Sequence, residues 1–104
     1  MYEVNLEVDA DVFDAFRAWL DAHIREILAL PGFLGAELYA QREPAAAERQ
    51  RGLCVQYRLA DDAALQRYLR EDAPRFRADG LTRFGGRFSA SRRVLQPLSA
   101  FARG

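Results

Sequence analysis

The sequence contains no lysine, and all fifteen of its basic residues are arginines. The chain therefore has neither a Schiff-base lysine nor the lysine of a P-loop. It has one cysteine, Cys54, which excludes an internal disulfide and predicts a reduced thiol. Cys54 and the only histidine, His23, are predicted on opposite sides of a sheet. They make a poor set of ligands, so we predict no metal site and no cofactor.

Long apolar runs are also absent. No segment reaches the roughly 18 consecutive apolar residues of a membrane-spanning helix. The first residues, MYEVNLEV, alternate between apolar and polar side chains, whereas a signal peptide begins with basic residues and a continuous apolar stretch. Together with the lone cysteine, these absences predict a cytoplasmic protein that has no membrane partner.

The chain has enough apolar material for one core. Half of its 104 residues are hydrophobic and seven are phenylalanines, so we expect residues 1–104 to form a single domain. The polar, alanine-rich segment 42–52 is predicted to be an exposed loop, and residues 97–104, which begin at a proline, a C-terminal tail.

Charge is divided unevenly along the chain, although the formal net charge is zero. Residues 1–50 hold four arginines and ten acids, a net charge of −6, and residues 51–104 hold eleven arginines and five acids, a net charge of +6. We expect the two halves to neutralise each other within the fold or across a dimer. Nucleic acid is not the predicted partner, because no RNA-stacking aromatic motif accompanies the arginine-rich region 75–93.

Alternation and helical periodicity predict four strands and two helices. The segment from Asp11 has helical spacing as far as Pro31, with Asp11 and Asp14 as an N-terminal capping box. The second helix begins near Asp61; Pro74 predicts that it kinks or divides, and Gly80 that it is interrupted again. The order of these strands and helices along the chain predicts an α+β protein with the ferredoxin-like β-α-β-β-α-β fold. This fold is a four-stranded antiparallel sheet with two helices on one face. The predicted strands are residues 2–8, 33–41, 53–59 and 87–96.

Several stretches resemble one small family of unknown function within the dimeric α+β barrel superfamily, whose members share this ferredoxin-like fold. The resemblance covers almost all of the chain except residues 42–52, and it implies a homodimer in which two sheets close into one barrel. It implies no activity. The pair Gly80-Leu81 departs from it, because a more polar, helical pair is expected there. The matching stretches are MYEVNLEVD, WLDAHI, PGFLGAELY and the run from RYLREDAP to RFGGRFSASRRVL.

The predicted strands have one apolar face and one polar face. The polar face mixes acids with arginines and amides, so cross-strand Glu–Arg pairs are expected there. That face fits either a solvated sheet or a homodimer interface, and the resemblance favours the homodimer. The apolar face, expected beneath the helices, consists of Tyr2, Val4, Leu6, Val8, Leu34, Ala36, Leu38, Leu53, Val55, Tyr57, Leu59, Phe88, Ala90 and Val94.

The stretch 16-FRAWLDAHIREIL-28 carries the only tryptophan and the only histidine. At 100° per residue, Trp19 and His23 lie on the helix side that faces the sheet. A buried imidazole needs a hydrogen-bond partner, and Glu26 lies about one turn further along the helix. Tyr57 and Arg92 are expected to face His23 from the sheet, where Arg92 interrupts the apolar series of its strand.

This placement leaves two interpretations open. His23 is either a core histidine in a non-catalytic interaction module, or it lines a pocket between helix and sheet. In the pocket, His23, Trp19, Tyr57 and Arg92 would bind a small, partly apolar or aromatic molecule. Trp19 would stack on this ligand, His23 would hydrogen-bond or exchange a proton, and Arg92 would pair with an anion.

The resemblance adds a third alternative, an oxygenase-like enzyme. Some members of the superfamily oxidise aromatic substrates without a cofactor, and others degrade haem. Asn5 and Tyr39 are residue types that such chemistry uses, but their strand parity separates them from His23 unless a bulge intervenes. Gly85-Gly86 in RFGGRF lacks the following Lys-Ser/Thr, so it predicts a turn and not a P-loop.

Overall fold

The computed structural model describes all 104 residues and has the predicted ferredoxin-like α+β fold. One antiparallel sheet has the strand order β2-β3-β1-β4, with helices packed on one of its faces. The strands are β1 (Tyr2–Asp9), β2 (Phe33–Gln41), β3 (Gln50–Leu59) and β4 (Phe88–Val94), and the helices are α1 (Phe13–Leu28), α2 (Asp62–Glu71) and α3 (Ala73–Phe84). No helix is long and apolar enough to cross a membrane.

The core lies between the helices and the apolar face of the sheet. Val8 in β1, Leu53 and Val55 in β3, and Phe16 and Ile27 in α1 are all fully buried. Alternate side chains of a strand point to the same face, which is why the predicted apolar series of β1 and β3 becomes one side of this core.

The prediction that Leu34 lies beneath the helices is wrong. Its side chain is 67% exposed. The register of β2 against β3 shifts between Phe33 and Gly35, and such a bulge reverses the direction of the side chains before it. Phe33 takes the inward position, and its ring lies edge-on to Tyr57 at 5.7 Å between centroids.

The predicted capping box at the start of α1 is also wrong. A 3-10 turn over residues 10–12 precedes the helix, and Val12 at the cap position makes no side-chain hydrogen bond. The carboxylate of Asp11 instead accepts a hydrogen bond from Arg87, the residue just before β4. Asp11 therefore pairs with a distant part of the chain and does not cap α1.

The loop after β2 ends earlier than predicted, because residues 50–52 belong to β3 and not to an exposed 42–52 loop. Gln50 lies opposite Asp9, and Gly52 lies opposite Glu7. Pairing with β1 satisfies the backbone groups of this segment, and the strand therefore extends into polar residues that alternation alone does not identify.

The second helical region divides at Pro74, as predicted. Pro74 stands in the first turn of α3, where a missing N–H leaves no helical hydrogen bond unmade. The prediction that Gly80 interrupts the helix is wrong, since α3 continues through it. A Cβ atom at Gly80 would lie 3.0 Å from the indole ring of Trp19, so glycine lets α3 approach α1 closely.

The polar face of the sheet contains the expected Glu–Arg pairs. Arg93 Nε donates to the Glu3 carboxylate at 2.6 Å, and Arg58 pairs with Glu37 on the neighbouring strands. Both pairs join the acidic half of the chain to its basic half. Residues 95–104 have no regular secondary structure.

Candidate ligand-binding cavity

A cavity of about 310 Å³ lies between the helices and the apolar face of the sheet. All four residues selected from the sequence line it: Trp19 and His23 from α1, Tyr57 from β3 and Arg92 from β4. The rest of its wall is mostly apolar and aromatic, and no aspartate or glutamate lines it. The structure therefore brings the predicted set together around one open space.

Trp19 and His23 form one aromatic wall. Four residues apart on α1, they lie on the same side of the helix, and their rings stack with centroids 4.5 Å apart and planes 27° apart. The ring of Phe76 on α3 meets His23 edge-on at 5.2 Å. Packing on two sides fixes the imidazole in place.

His23 lacks the hydrogen bond that a buried imidazole requires. Its Nδ1 atom is buried and has no partner, and the predicted partner, Glu26, is exposed and makes no hydrogen bond to it. Burial lowers the pKa of His23 below its usual 6.5; the charges of Glu26 and Asp79 oppose this shift and that of Arg92 adds to it. The ring is therefore neutral at neutral pH, and the chain supplies no hydrogen-bond partner for its buried Nδ1.

This electrostatic environment can be measured directly, because the chain has a single histidine. We expect His23 to titrate below 6.5 by NMR of its ring carbons. Asp79→Asn should lower this pKa further, because it removes a nearby negative charge. Arg92→Gln should raise it, and Asp21→Asn on the outer side of α1 should leave it unchanged. A pKa that rises in Asp79→Asn would contradict the geometry.

Asp79 on α3 contacts the cavity residue Trp19, and sequence reasoning missed it. Its Oδ2 accepts a hydrogen bond from Trp19 Nε1 at 3.0 Å, and its Oδ1 accepts one from Arg83 at 3.2 Å. Both hydrogen bonds lower the pKa of Asp79, and the one from Trp19 has the larger effect. The spacing of Asp79 and Arg83 predicts a surface pair on a helix, but nothing local indicates that this helix meets Trp19.

Tyrosines line the sheet side of the cavity. The Tyr57 ring stacks on Tyr2 at 5.9 Å, and Tyr68 of α2 meets Tyr2 edge-on at the same distance. Burial raises the pKa of Tyr57, and burial raises the pKa of Tyr68 to about 12. Both phenols are therefore protonated at neutral pH and available as hydrogen-bond donors.

The cavity opens between α3 and β4, because its exposed lining residues are confined to those two elements. Arg77 and Leu81 lie four residues apart on the same side of α3, and Leu81 is 59% exposed. Ser89 and Arg92 form the facing side on β4, which is an edge strand. Arg77 is a second lining arginine that the sequence reasoning missed.

The other residue types considered for catalysis lie elsewhere. Asn5 donates a hydrogen bond to Glu3 on the polar face of the sheet, and Tyr39 pairs with Cys54 on that same face. Neither is part of the cavity wall. No group of three or more His, Cys, Asp or Glu side chains is arranged to hold a metal ion.

Solved structures with similar folds cover nearly the whole chain. A variant of SnoaB, a cofactor-independent oxygenase from Streptomyces nogalater, aligns with a TM-score of 0.59 and 15% identity over 98% of this chain and 96% of its own. Rv0793 from Mycobacterium tuberculosis aligns with a TM-score of 0.56 and 21% identity, over 97% of this chain and 98% of its own. HapK from Hahella chejuensis aligns at 0.55 and 18% identity over both full chains. At these identities the likeness establishes the fold alone, the ferredoxin-like α+β fold.

Sequence comparison identifies the family. No curated protein matches the chain. A family model described as a domain of unknown function, DUF4286, matches residues 1–98, almost the entire chain. The match confirms the resemblance read from the sequence, and the chain belongs to the DUF4286 family.

Proposed function

We propose that this protein binds a small, partly apolar or aromatic molecule in the cavity beside Trp19 and His23. The observation that carries the proposal is an aromatic-walled cavity lined by His23, whose Nδ1 atom is buried and has no hydrogen-bond partner. An unsatisfied buried polar atom costs stability, and a ligand that hydrogen-bonds to it removes that cost. The volume of about 310 Å³ lies at the lower end of the range for small-molecule sites.

The wall divides into surfaces that contact rings and groups that form hydrogen bonds. Trp19 and Phe76 offer flat apolar area, which favours an aromatic or other planar ligand. Neutral His23 and protonated Tyr57 supply an imidazole nitrogen and a hydroxyl. This small number of polar groups in an apolar wall is typical of a site that orients its ligand.

Trp19, the only tryptophan, allows binding to be followed without a label. We expect naphthol to change the intrinsic fluorescence of Trp19 and to give a saturable isotherm by calorimetry. Ala90→Leu places a larger side chain in the cavity from β4 and should weaken this binding by about tenfold or more, since it fills the space that the ligand needs. Native mass spectrometry of freshly purified protein adds a search for a co-purified molecule.

Ala63→Leu is the matched control, because it makes the same change on the exposed side of α2, away from the cavity. Circular dichroism checks that both variants are folded. Equal binding of naphthol to Ala90→Leu and Ala63→Leu, or no saturable binding to the unmodified protein, would refute the proposal.

We further infer that the protein is a homodimer joined through the polar face of the sheet. Helices cover only the other face, and Glu3, Gln56 and Arg93 already satisfy one another there, as a polar interface requires. Light scattering is expected to give twice the chain mass of 11.8 kDa. Cys54→Arg on this face should halve the measured mass, whereas Ala63→Arg should not. A monomer at micromolar concentration would contradict the dimer.

A cofactor-independent oxygenase is the remaining alternative, suggested by the likeness to SnoaB. Asn5 and Tyr39, which would support it, lie across the sheet from the cavity. We therefore propose binding without catalysis. Oxygen uptake on addition of a hydroxylated polycyclic aromatic compound, lost in Trp19→Phe, would favour the enzyme instead.

A further inference from the structure

We propose that the natural ligand is an aromatic anion whose charged group lies at the cavity mouth between Arg77 and Arg92. This inference rests on the proposed function and names the chemical class of the ligand. A carboxylate or enolate on a planar ring system has the required chemistry, with the ring inside the cavity and the charge at its opening.

The first support is that neither arginine has an acidic partner. Neither Arg77 nor Arg92 takes part in an ion pair. Their close neighbours in sequence do, since Arg75 pairs with Asp72 and Arg93 pairs with Glu3 on the polar face. The two arginines at the mouth are thus left without counter-charge within a chain of zero net charge.

The second support is the charge of the lining. The cavity wall includes two arginines and no carboxylate, so a ligand anion meets only positive charge there. Arg92 also affects groups inside the cavity, because its positive charge acts to lower the pKa of both His23 and Tyr57. An aromatic cation would find no carboxylate in this wall.

The third support is the geometry of Arg77. Its NH2 donates to the hydroxyl of Tyr2 at 3.2 Å, which ties the side chain to β1 beside the cavity. A guanidinium has five N–H donors in a planar fork, so the remaining donors of Arg77 are available to a carboxylate. Arg92 lines the same cavity from β4.

The shape of the cavity orients the ligand. Buried Leu20, Ile27 and Val55 form its inner wall, whereas the exposed lining residues, including both arginines, stand at the opening. Placing the charge deep inside would remove it from water and leave it without a charged partner, at a large cost. The ring therefore enters first, and the anionic group stays where both arginines and solvent reach it.

The test compares naphthoate with its neutral analogue naphthamide by calorimetry at about pH 8, where the carboxylate is ionised. We expect naphthoate to bind the unmodified protein about tenfold more tightly, because charge-assisted hydrogen bonds exceed neutral ones in strength. Arg77→Gln and Arg92→Gln should each weaken naphthoate binding far more than naphthamide binding, and so remove most of this preference. Added salt should weaken naphthoate binding only.

Arg42→Gln is the control, since Arg42 is also exposed and unpaired but lies after β2, away from the cavity. Arg42→Gln should keep the full preference for naphthoate over naphthamide. Equal affinity for the two probes, or a preference that survives both cavity substitutions, would overturn the anion assignment and leave the proposed function intact. Binding of neither probe would overturn both.

Discussion

Replacing Phe16 with alanine is expected to lower the free energy of unfolding by about 3–5 kcal/mol. Phe16 is fully buried in α1, and its ring lies within 5.4 Å of the rings of Trp19, Phe84 and Phe88. Removing it leaves a hole where two helices and β4 meet. Since small domains have a total stability of about 5–15 kcal/mol, this one change removes a large share.

Urea unfolding followed by circular dichroism measures the effect, at one protein concentration so that any dimer contributes equally. Phe16→Leu keeps most of the apolar volume and should cost less than Phe16→Ala. Phe101→Ala is the control, because Phe101 is 94% exposed in the C-terminal tail, and it should change stability by less than about 0.5 kcal/mol. Equal losses at Phe16 and Phe101 would show that the core is packed differently.

Glu3→Gln is expected to lower stability at neutral pH by about 2 kcal/mol and to have only a small effect at about pH 2. The Glu3 side chain is only 3% exposed. Hydrogen bonds from Asn5, Gln56 and Arg93, with the charge of Arg93, lower its pKa from 4.5 to about 2. Because the pKa of Glu3 is lower in the folded protein than in the unfolded chain, its ionised carboxylate stabilises the fold at pH values above 4.5. This contribution is lost as the pH falls through the folded-state pKa of about 2.

A series of urea unfolding curves between neutral pH and about pH 2 measures the difference in unfolding free energy between Glu3→Gln and the unmodified protein. Glu7→Gln is the matched control, since Glu7 points to the same face of β1 but is exposed and has no ion pair. It should follow the unmodified protein at every pH. A Glu3→Gln variant that is equally stable at neutral pH would show that Arg93 and Gln56 do not stabilise the Glu3 carboxylate.

The strongest sequence predictions concern residues that interrupt a pattern. His23 interrupts the apolar side of a helix and Arg92 that of a strand, and both line the same cavity. Periodicity places a side chain on a face, so it identifies such interruptions before the fold is known. It does not measure distance, which is why Glu26, at suitable spacing, is not the partner of His23.

Residues of the third helix were harder to assign. Arg77 and Asp79 belong to an ordinary polar helix surface in sequence terms, although one lines the cavity and the other binds Trp19. Their roles depend on how α3 crosses α1, and that crossing depends on Gly80, which the sequence suggested as a break. A glycine in a helix marks a close contact only when the opposing element is known.

The sequence by itself determined the order of the strands and helices, the face that β1 and β3 turn to the core, and the four residues on the cavity wall. These follow from local spacing, because side-chain direction repeats with the period of the strand or helix. The tertiary structure alone decided that space remains between these residues, that Leu34 turns outward, and that Arg77 and Arg92 line the same cavity. Cavities, bulges and facing charges depend on the distance between segments far apart in the chain, and no local pattern encodes that distance.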